Sequence, residues 1–131
     1  MRMRGEIAPQ IAAQQYQDEL DLLATQHREE MYRHDLILLG VGEDGHTASL
    51  FPDTAALGET TQRIVANYVP KLKSWRITFT YPLINCARHV CFLMNAKKQP
   101  ALIENIITGD TRYPAAQVNP TNGKLTWILS E

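Results

Sequence analysis

Residues 36–52 read LILLGVGEDGHTASLFP, and this segment decides the fold. It begins with four consecutive apolar residues, Leu36 to Leu39, a pattern typical of a strand buried on both faces of a parallel sheet. The following residues include three glycines, Gly40, Gly42 and Gly45. Glycines allow a tight turn and a close approach of the backbone to a ligand. Residues 47–51 are then predicted to form a short helix, which Pro52 ends.

The glycine-rich segment is also the best candidate for a functional site. In open α/β sheets, ligands bind where a loop joins the carboxyl end of a strand to the start of a helix. This loop contains Asp44 and His46, an acid and an imidazole two residues apart. A structural turn in which His46 only caps and packs is the plainer alternative, and the dense glycines around the histidine argue against it.

Three other loop types fit this segment less well. The glycine spacing formally matches the dinucleotide fingerprint, but that motif needs a full helix after its last glycine and an acidic residue about 20 positions later. Neither is found here. A Walker phosphate loop is excluded because no Gly-Lys-Ser/Thr follows. Ser49 does not lie in a Gly-x-Ser-x-Gly elbow, which argues against a serine nucleophile.

The order of residues 40–52 resembles the signature of the 6-phosphogluconolactonases, sugar-phosphate enzymes of the pentose phosphate pathway. They are related to the glucosamine-6-phosphate deaminases and isomerases, which share the GxGxDGH part. The continuation TASLFP is similar to the lactonase branch, whereas the deaminases typically continue IAFNEP. A second segment, residues 76–78 with Asn85 and Arg88 downstream, resembles the lactonase segment whose first arginine binds the sugar phosphate. The similarity extends over the chain but only to the C-terminal part of the family.

This resemblance implies hydrolysis of 6-phosphoglucono-1,5-lactone to 6-phosphogluconate. His46 is then expected to act as general base on water, and Asp44 to orient it or to cap the helix. Arg76 is expected to hold the phosphate, because a guanidinium matches phosphate geometry bidentately. The expected substrate-binding loop residues are Gly40, Gly42, Gly45 and Thr47. Water suffices as nucleophile for an activated lactone, so neither a metal nor a cofactor is expected.

Some points of the mechanism are left open by the sequence. A helix beginning at His46 would disfavour the imidazolium and keep the ring neutral. Glucosamine-6-phosphate deamination or isomerisation is the second enzymatic interpretation, and a non-catalytic fragment that folds only against a partner is the third. Where the family usually shows Gly-x-x-Lys, this chain has Lys97, Lys98 and Gln99, so a substrate contact there is undecided.

Composition excludes several other classes of protein. The 131 residues carry a net charge of −1 without a basic stripe, which argues against nucleic acid as a partner. No apolar run reaches the length of a membrane span. Cys86 and Cys91 occur without a secretory signal, which predicts reduced thiols and a cytoplasmic location. Together with His89 they match no standard zinc spacing.

Strands and helices alternate along the chain. Helices are predicted over residues 9–31, 82–87 and 100–107, strands over 36–39, 63–69, 75–80, 90–94 and 124–129, and an extended segment over 114–118. This order predicts an α/β, Rossmann-like fold with a mostly parallel sheet and flanking helices. Residues 1–131 are expected to form a single, incomplete domain, because the resemblance lacks the family's N-terminal half. Exposed apolar surface, self-association or a completing partner chain is therefore expected.

Overall fold

The computed structural model describes all 131 residues and confirms the α/β class. The helices are α1 (Pro9–Gln26), α2 (Tyr81–Asn85) and α3 (Pro100–Ile107). The strands are β1 (Ile37–Gly40), β2 (Ile64–Val69), β3 (Ser74–Phe79), β4 (His89–Asn95) and β5 (Lys124–Ser130). Three short 3-10 turns lie at Ala55–Gly58, Pro70–Leu72 and Pro114–Gln117. None of the helices has the length and apolar character needed to cross a bilayer.

The strands form two separate sheets. Strands β1, β4 and β5 make a parallel sheet in the order β1-β4-β5, which confirms the mostly parallel architecture. Strands β2 and β3 form an antiparallel hairpin beside it. Only residues 70–73 connect β2 to β3, too few for the crossover that parallel strands require. The two strands are therefore antiparallel, and neither of them pairs with a strand of the parallel sheet.

Two predicted elements end or fold differently. Helix α1 stops at Gln26 rather than near residue 31, because Arg28 takes a φ of 57°, a left-handed conformation that a helix does not continue through. The segment predicted to be extended over residues 114–118 is instead a 3-10 turn. Pro114 favours this start because its fixed φ suits the first position of a helical turn.

One face of the parallel sheet carries the main core. Phe92 of β4 is fully buried and stacks on Trp127 of β5, with ring centroids 4.3 Å apart. Ile84 of α2 and Ile106 of α3 pack in the same cluster. A smaller cluster joins α1 to the hairpin.

The opposite face of the parallel sheet is largely bare. Ile37 and Leu39 of β1 are buried, but Leu38 between them is 58% exposed. Leu93 and Ile128 are paired across β4 and β5 and are also exposed. The expectation that β1 is buried on both faces is therefore wrong within this chain. The predicted exposed apolar surface is present instead.

Candidate functional site

The glycine loop leaves the carboxyl end of β1 and folds back on itself. The Gly42 amide donates a hydrogen bond to the His46 carbonyl at 3.0 Å, and the Gly45 amide donates to the Gly42 carbonyl at 2.9 Å. Gly45 takes a φ of 79°, which an L side chain rarely adopts. These bonds close a compact turn that presents Asp44 and His46 on one side.

Gly42 is required by the imidazole itself. A Cβ atom on Gly42 would lie 2.1 Å from His46 Cε1, so any side chain there would displace the ring. At Gly40 an added Cβ meets nothing within 4 Å. The Gly40 carbonyl accepts a 2.8 Å hydrogen bond from the Thr47 hydroxyl, and Thr47 is fully buried. The Thr47 side chain therefore holds the loop together and faces the interior.

No helix follows His46, contrary to the prediction over residues 47–51. The Leu50 amide donates to the Thr47 carbonyl at 2.8 Å, and Ala48 takes a φ of 50°. The Ser49 amide donates to Thr78 Oγ1, and its carbonyl accepts from Asn67 Nδ2. The hairpin thus supplies hydrogen-bond partners for backbone groups that, in a helix, would bond to residues four positions away. Since His46 does not begin a helix, the expectation that a helix terminus acts on its imidazole is wrong.

The contact of His46 with Asp44 sets the orientation of the ring. Asp44 Oδ1 accepts the His46 amide at 3.1 Å and lies 2.5 Å from His46 Nδ1. An ionised carboxylate only accepts hydrogen bonds, so Nδ1 carries a proton, and in the neutral form of the ring Nε2 is the nitrogen with the free lone pair. The ring also stacks on Phe51, with centroids 4.0 Å apart and planes at 19°. Nε2 has no hydrogen-bond partner within the chain.

Lys71 is a member of this cluster that the sequence analysis missed. Its Nζ forms an ion pair with Asp44 Oδ2 and lies 5.3 Å from the centroid of the Phe51 ring. Partial burial alone would raise the pKa of Asp44, but the hydrogen bonds from Lys71 and His46 outweigh it and lower the pKa to about 2. No local signal links Lys71 to an acid 27 positions earlier; only the fold of the hairpin turn joins them.

His46 lines two open cavities. One, of about 410 Å³, is formed with the end of β1, Gly40, Gly42 and Ala48. The other, of about 650 Å³, is formed with Glu43, Asp44, Phe51, Lys71 and Leu72. His46 is thus accessible from two sides of the loop, whereas Asp44 lines only the second of these cavities.

Arg76 lies in neither of the His46 cavities. It is exposed on β3 and lines a cavity of about 460 Å³ with Met3, Gly5 and Trp75. In the hairpin register Arg76 is paired with Asn67, so both point to the face that contacts residues 49–56. The structure therefore places Arg76 on the hairpin face that carries Asn67 but not in one cavity with His46.

The remaining candidate residues lie apart from this cluster. The amides of Lys97 and Lys98 donate to the Asn95 side chain in the turn after β4. Cys86 and Cys91 are unpaired, and burial raises the pKa of the Cys86 thiol. No three His, Cys, Asp or Glu side chains converge in a way that could hold a metal ion.

Comparison with known proteins places the chain in a family. Residues 1–127 match the family model described as glucosamine-6-phosphate isomerases/6-phosphogluconolactonase. The chain is 44% identical to human 6-phosphogluconolactonase over 101 residues, which cover 74% of this chain and 39% of the human protein. It is 43% identical to the 6-phosphogluconolactonase of Synechocystis over 126 residues, 94% of this chain and 51% of that protein.

The fold agrees with this match. The crystal structure of a protein named devB superposes with a TM-score of 0.82 at 31% identity, covering 98% of this chain and 55% of that one. The chain thus spans about half the length of the relatives it matches, or less.

Proposed function

Because the chain belongs to the family of glucosamine-6-phosphate isomerases and 6-phosphogluconolactonases, we propose that its site hydrolyses 6-phosphoglucono-1,5-lactone to 6-phosphogluconate. The observation that carries this proposal is His46, whose Nδ1 is held by Asp44 while Nε2 is left without a partner beside two open cavities. This is the arrangement that a general base on water requires.

In the proposed reaction, Nε2 of His46 takes a proton from water as the water oxygen bonds to the lactone carbonyl carbon. The negative charge then moves to the carbonyl oxygen. The Ala48 amide has no acceptor within the chain and its residue lines a His46 cavity, so it is the proposed donor to this oxyanion. When the intermediate collapses, the bond to the ring oxygen breaks and the imidazolium returns the proton to that oxygen.

Arg76 is the proposed ligand of the substrate phosphate. Its guanidinium is exposed, and none of the ion pairs within the chain involves it. Lys71, a cation that lines a cavity together with His46, is already paired with Asp44. Arg76, which lies on the same hairpin as Lys71 and has no ion-pair partner, is therefore the better candidate to bind a dianionic phosphate.

We further propose that an additional segment or chain covers the bare face of the parallel sheet in the active form. Leu38, Leu93 and Ile128 expose apolar surface there, and the relatives are about twice as long as this chain. The alternative is that a second copy of this chain covers the same face.

The unpaired cysteines fit a reducing compartment, so we propose a cytoplasmic location.

The test is lactone hydrolysis by the chain alone and by the chain supplied with the N-terminal half of a family member. We expect activity in the completed form, and its loss by at least about a hundredfold in His46→Ala. His27→Ala, at an exposed position on the surface, is the matched control and should retain full turnover. Release of ammonia from glucosamine 6-phosphate without lactone hydrolysis would overturn the proposal in favour of the isomerase branch.

A further inference from the structure

Lys71 is held in place by its own turn. It lies in the 3-10 turn Pro70–Leu72 that closes the hairpin, where Pro70 restricts the backbone and the Lys73 amide donates to the Pro70 carbonyl at 3.0 Å. Lys73 takes a φ of 48° and ends the turn. The aliphatic stem of Lys71 therefore starts from a constrained backbone, although its side chain is about half exposed.

The Lys71 ammonium contacts both neighbours of the His46 ring. One neighbour is Asp44, through its Oδ2 atom, and the other is Phe51, whose ring lies under the cation at 5.3 Å from its centroid. Asp44 Oδ1 is meanwhile occupied by the amide and Nδ1 of His46. Each carboxylate oxygen thus has its own donors, and they come from two different segments of the chain.

We propose that Lys71 is a positioning residue: by binding Asp44 Oδ2 it fixes the carboxylate so that Oδ1 receives the Nδ1–H of His46 and Nε2 remains the base. The proposal rests on the proposed function, in which Nε2 accepts the proton from water. Without Lys71 only the contacts from His46 hold the carboxylate, so its broad terminal torsion is less restrained and its hold on one imidazole tautomer weakens.

Two features separate this role from an ordinary surface ion pair. Exposed pairs contribute little because solvent screens them and both side chains stay mobile. Here Asp44 is mostly covered and has two further hydrogen bonds, so its carboxylate is already immobilised on one side. Glu43 is the other carboxylate that lines the 650 Å³ cavity, and it is exposed and pairs with no cation in the chain. Lys71 therefore pairs with Asp44 in preference to Glu43.

The test compares Lys71→Met with Lys73→Met, a lysine of the same turn that takes part in no ion pair. The ring nitrogens of His46 are observed by long-range ¹H–¹⁵N NMR on the chain itself at pH 8, with His46→Gln to assign the signals. We expect the Nδ1–H tautomer in the unmodified chain and in Lys73→Met, and a mixture of both tautomers in Lys71→Met. Lys71→Arg, which keeps the charge, should restore the single tautomer.

The completed form, assayed on the lactone, gives a second readout. We expect Lys71→Met to lower kcat about tenfold or more with KM changed less than about twofold, because tautomer and orientation affect the proton transfer more than binding. An unchanged tautomer in both Lys71→Met and Lys71→Gln would overturn the proposal. A tautomer change in a form that does not hydrolyse the lactone would support the positioning role and overturn the proposed function instead.

Discussion

The two faces of the parallel sheet differ although the same strands form both. Phe92 and Trp127 point to the face covered by α2 and α3 and stack there, whereas their neighbours Leu93 and Ile128 point to the bare face. Successive side chains of a strand point to opposite faces, and in these two strands both faces receive apolar side chains. Only one face meets helices within this chain, so the difference lies in what the chain provides as cover and not in the strands.

The largest expected effect compares adjacent residues of β4. Phe92→Ala should lower the free energy of unfolding by about 3–5 kcal/mol, because it removes a fully buried ring and leaves a cavity. Leu93→Ala, at a site that is 47% exposed, should cost less than about 1 kcal/mol. Urea denaturation of both variants measures the contrast. Equal losses would mean that the bare face is covered in solution by something else.

The second comparison concerns the loop after His46. Unlike the bare face of the sheet, this loop is covered within the chain, because side chains of the hairpin form hydrogen bonds to it. Asn67 is buried, donates to the Ser49 carbonyl and Thr54 Oγ1, and accepts from the Ala56 amide. Asn67→Ala should cost about 2–3 kcal/mol, since it leaves several buried polar groups without partners.

Asn119→Ala is the matched control for this variant. Asn119 is exposed and only its backbone amide forms a hydrogen bond, so its replacement should change stability by less than about 0.5 kcal/mol. Thermal unfolding of the pair is the measurement. A similar stability for the two variants would show that Asn67 does not clamp the loop.

A third comparison tests the bare face for association. The double variant Leu93→Asn and Ile128→Thr should weaken self-association of the isolated chain about tenfold, since it removes exposed apolar area from one continuous surface. Sedimentation velocity over a concentration series measures this effect. Ile107→Asn, an exposed apolar position on α3, is the control outside this face. Identical sedimentation of all three proteins would exclude the bare face as the contact.

The smallest expected effect is a pH dependence at the site. The pKa of Asp44 is about 2 in the folded chain and near its ordinary value when unfolded, so the unfolded state binds the proton first. The contribution of Asp44 is complete above pH 4 and is lost as the pH falls toward 2. We expect this contribution to the free energy of unfolding to be about 1 kcal/mol, because solvent screens the charge of Lys71. The free energies of unfolding of the unmodified chain and of Asp44→Asn, measured by denaturation at several pH values, should converge as the pH falls across this range. A constant difference between the two would contradict the ion pair.

Much of the architecture is readable from local patterns. Helix α3 was predicted over the residues it occupies, because Pro100 marks its start and Gly109 follows its end. The bounds of the predicted strands agree with the structure within one or two residues, because apolar and alternating runs mark strands locally. The glycine spacing, with Asp44 and His46 two residues apart within it, indicates both the loop and the family, since these residues contact partners only a few positions away.

What the tertiary structure alone decided involves contacts between distant residues. The missing helix after His46 follows from hydrogen bonds to Thr78 and Asn67, and the pairing of Lys71 with Asp44 spans 27 positions. Arg76 reaches a different cavity because the hairpin stands apart from the parallel sheet. Periodicity reports the preferences of neighbours along the chain, whereas these partners meet only once the hairpin packs against the loop.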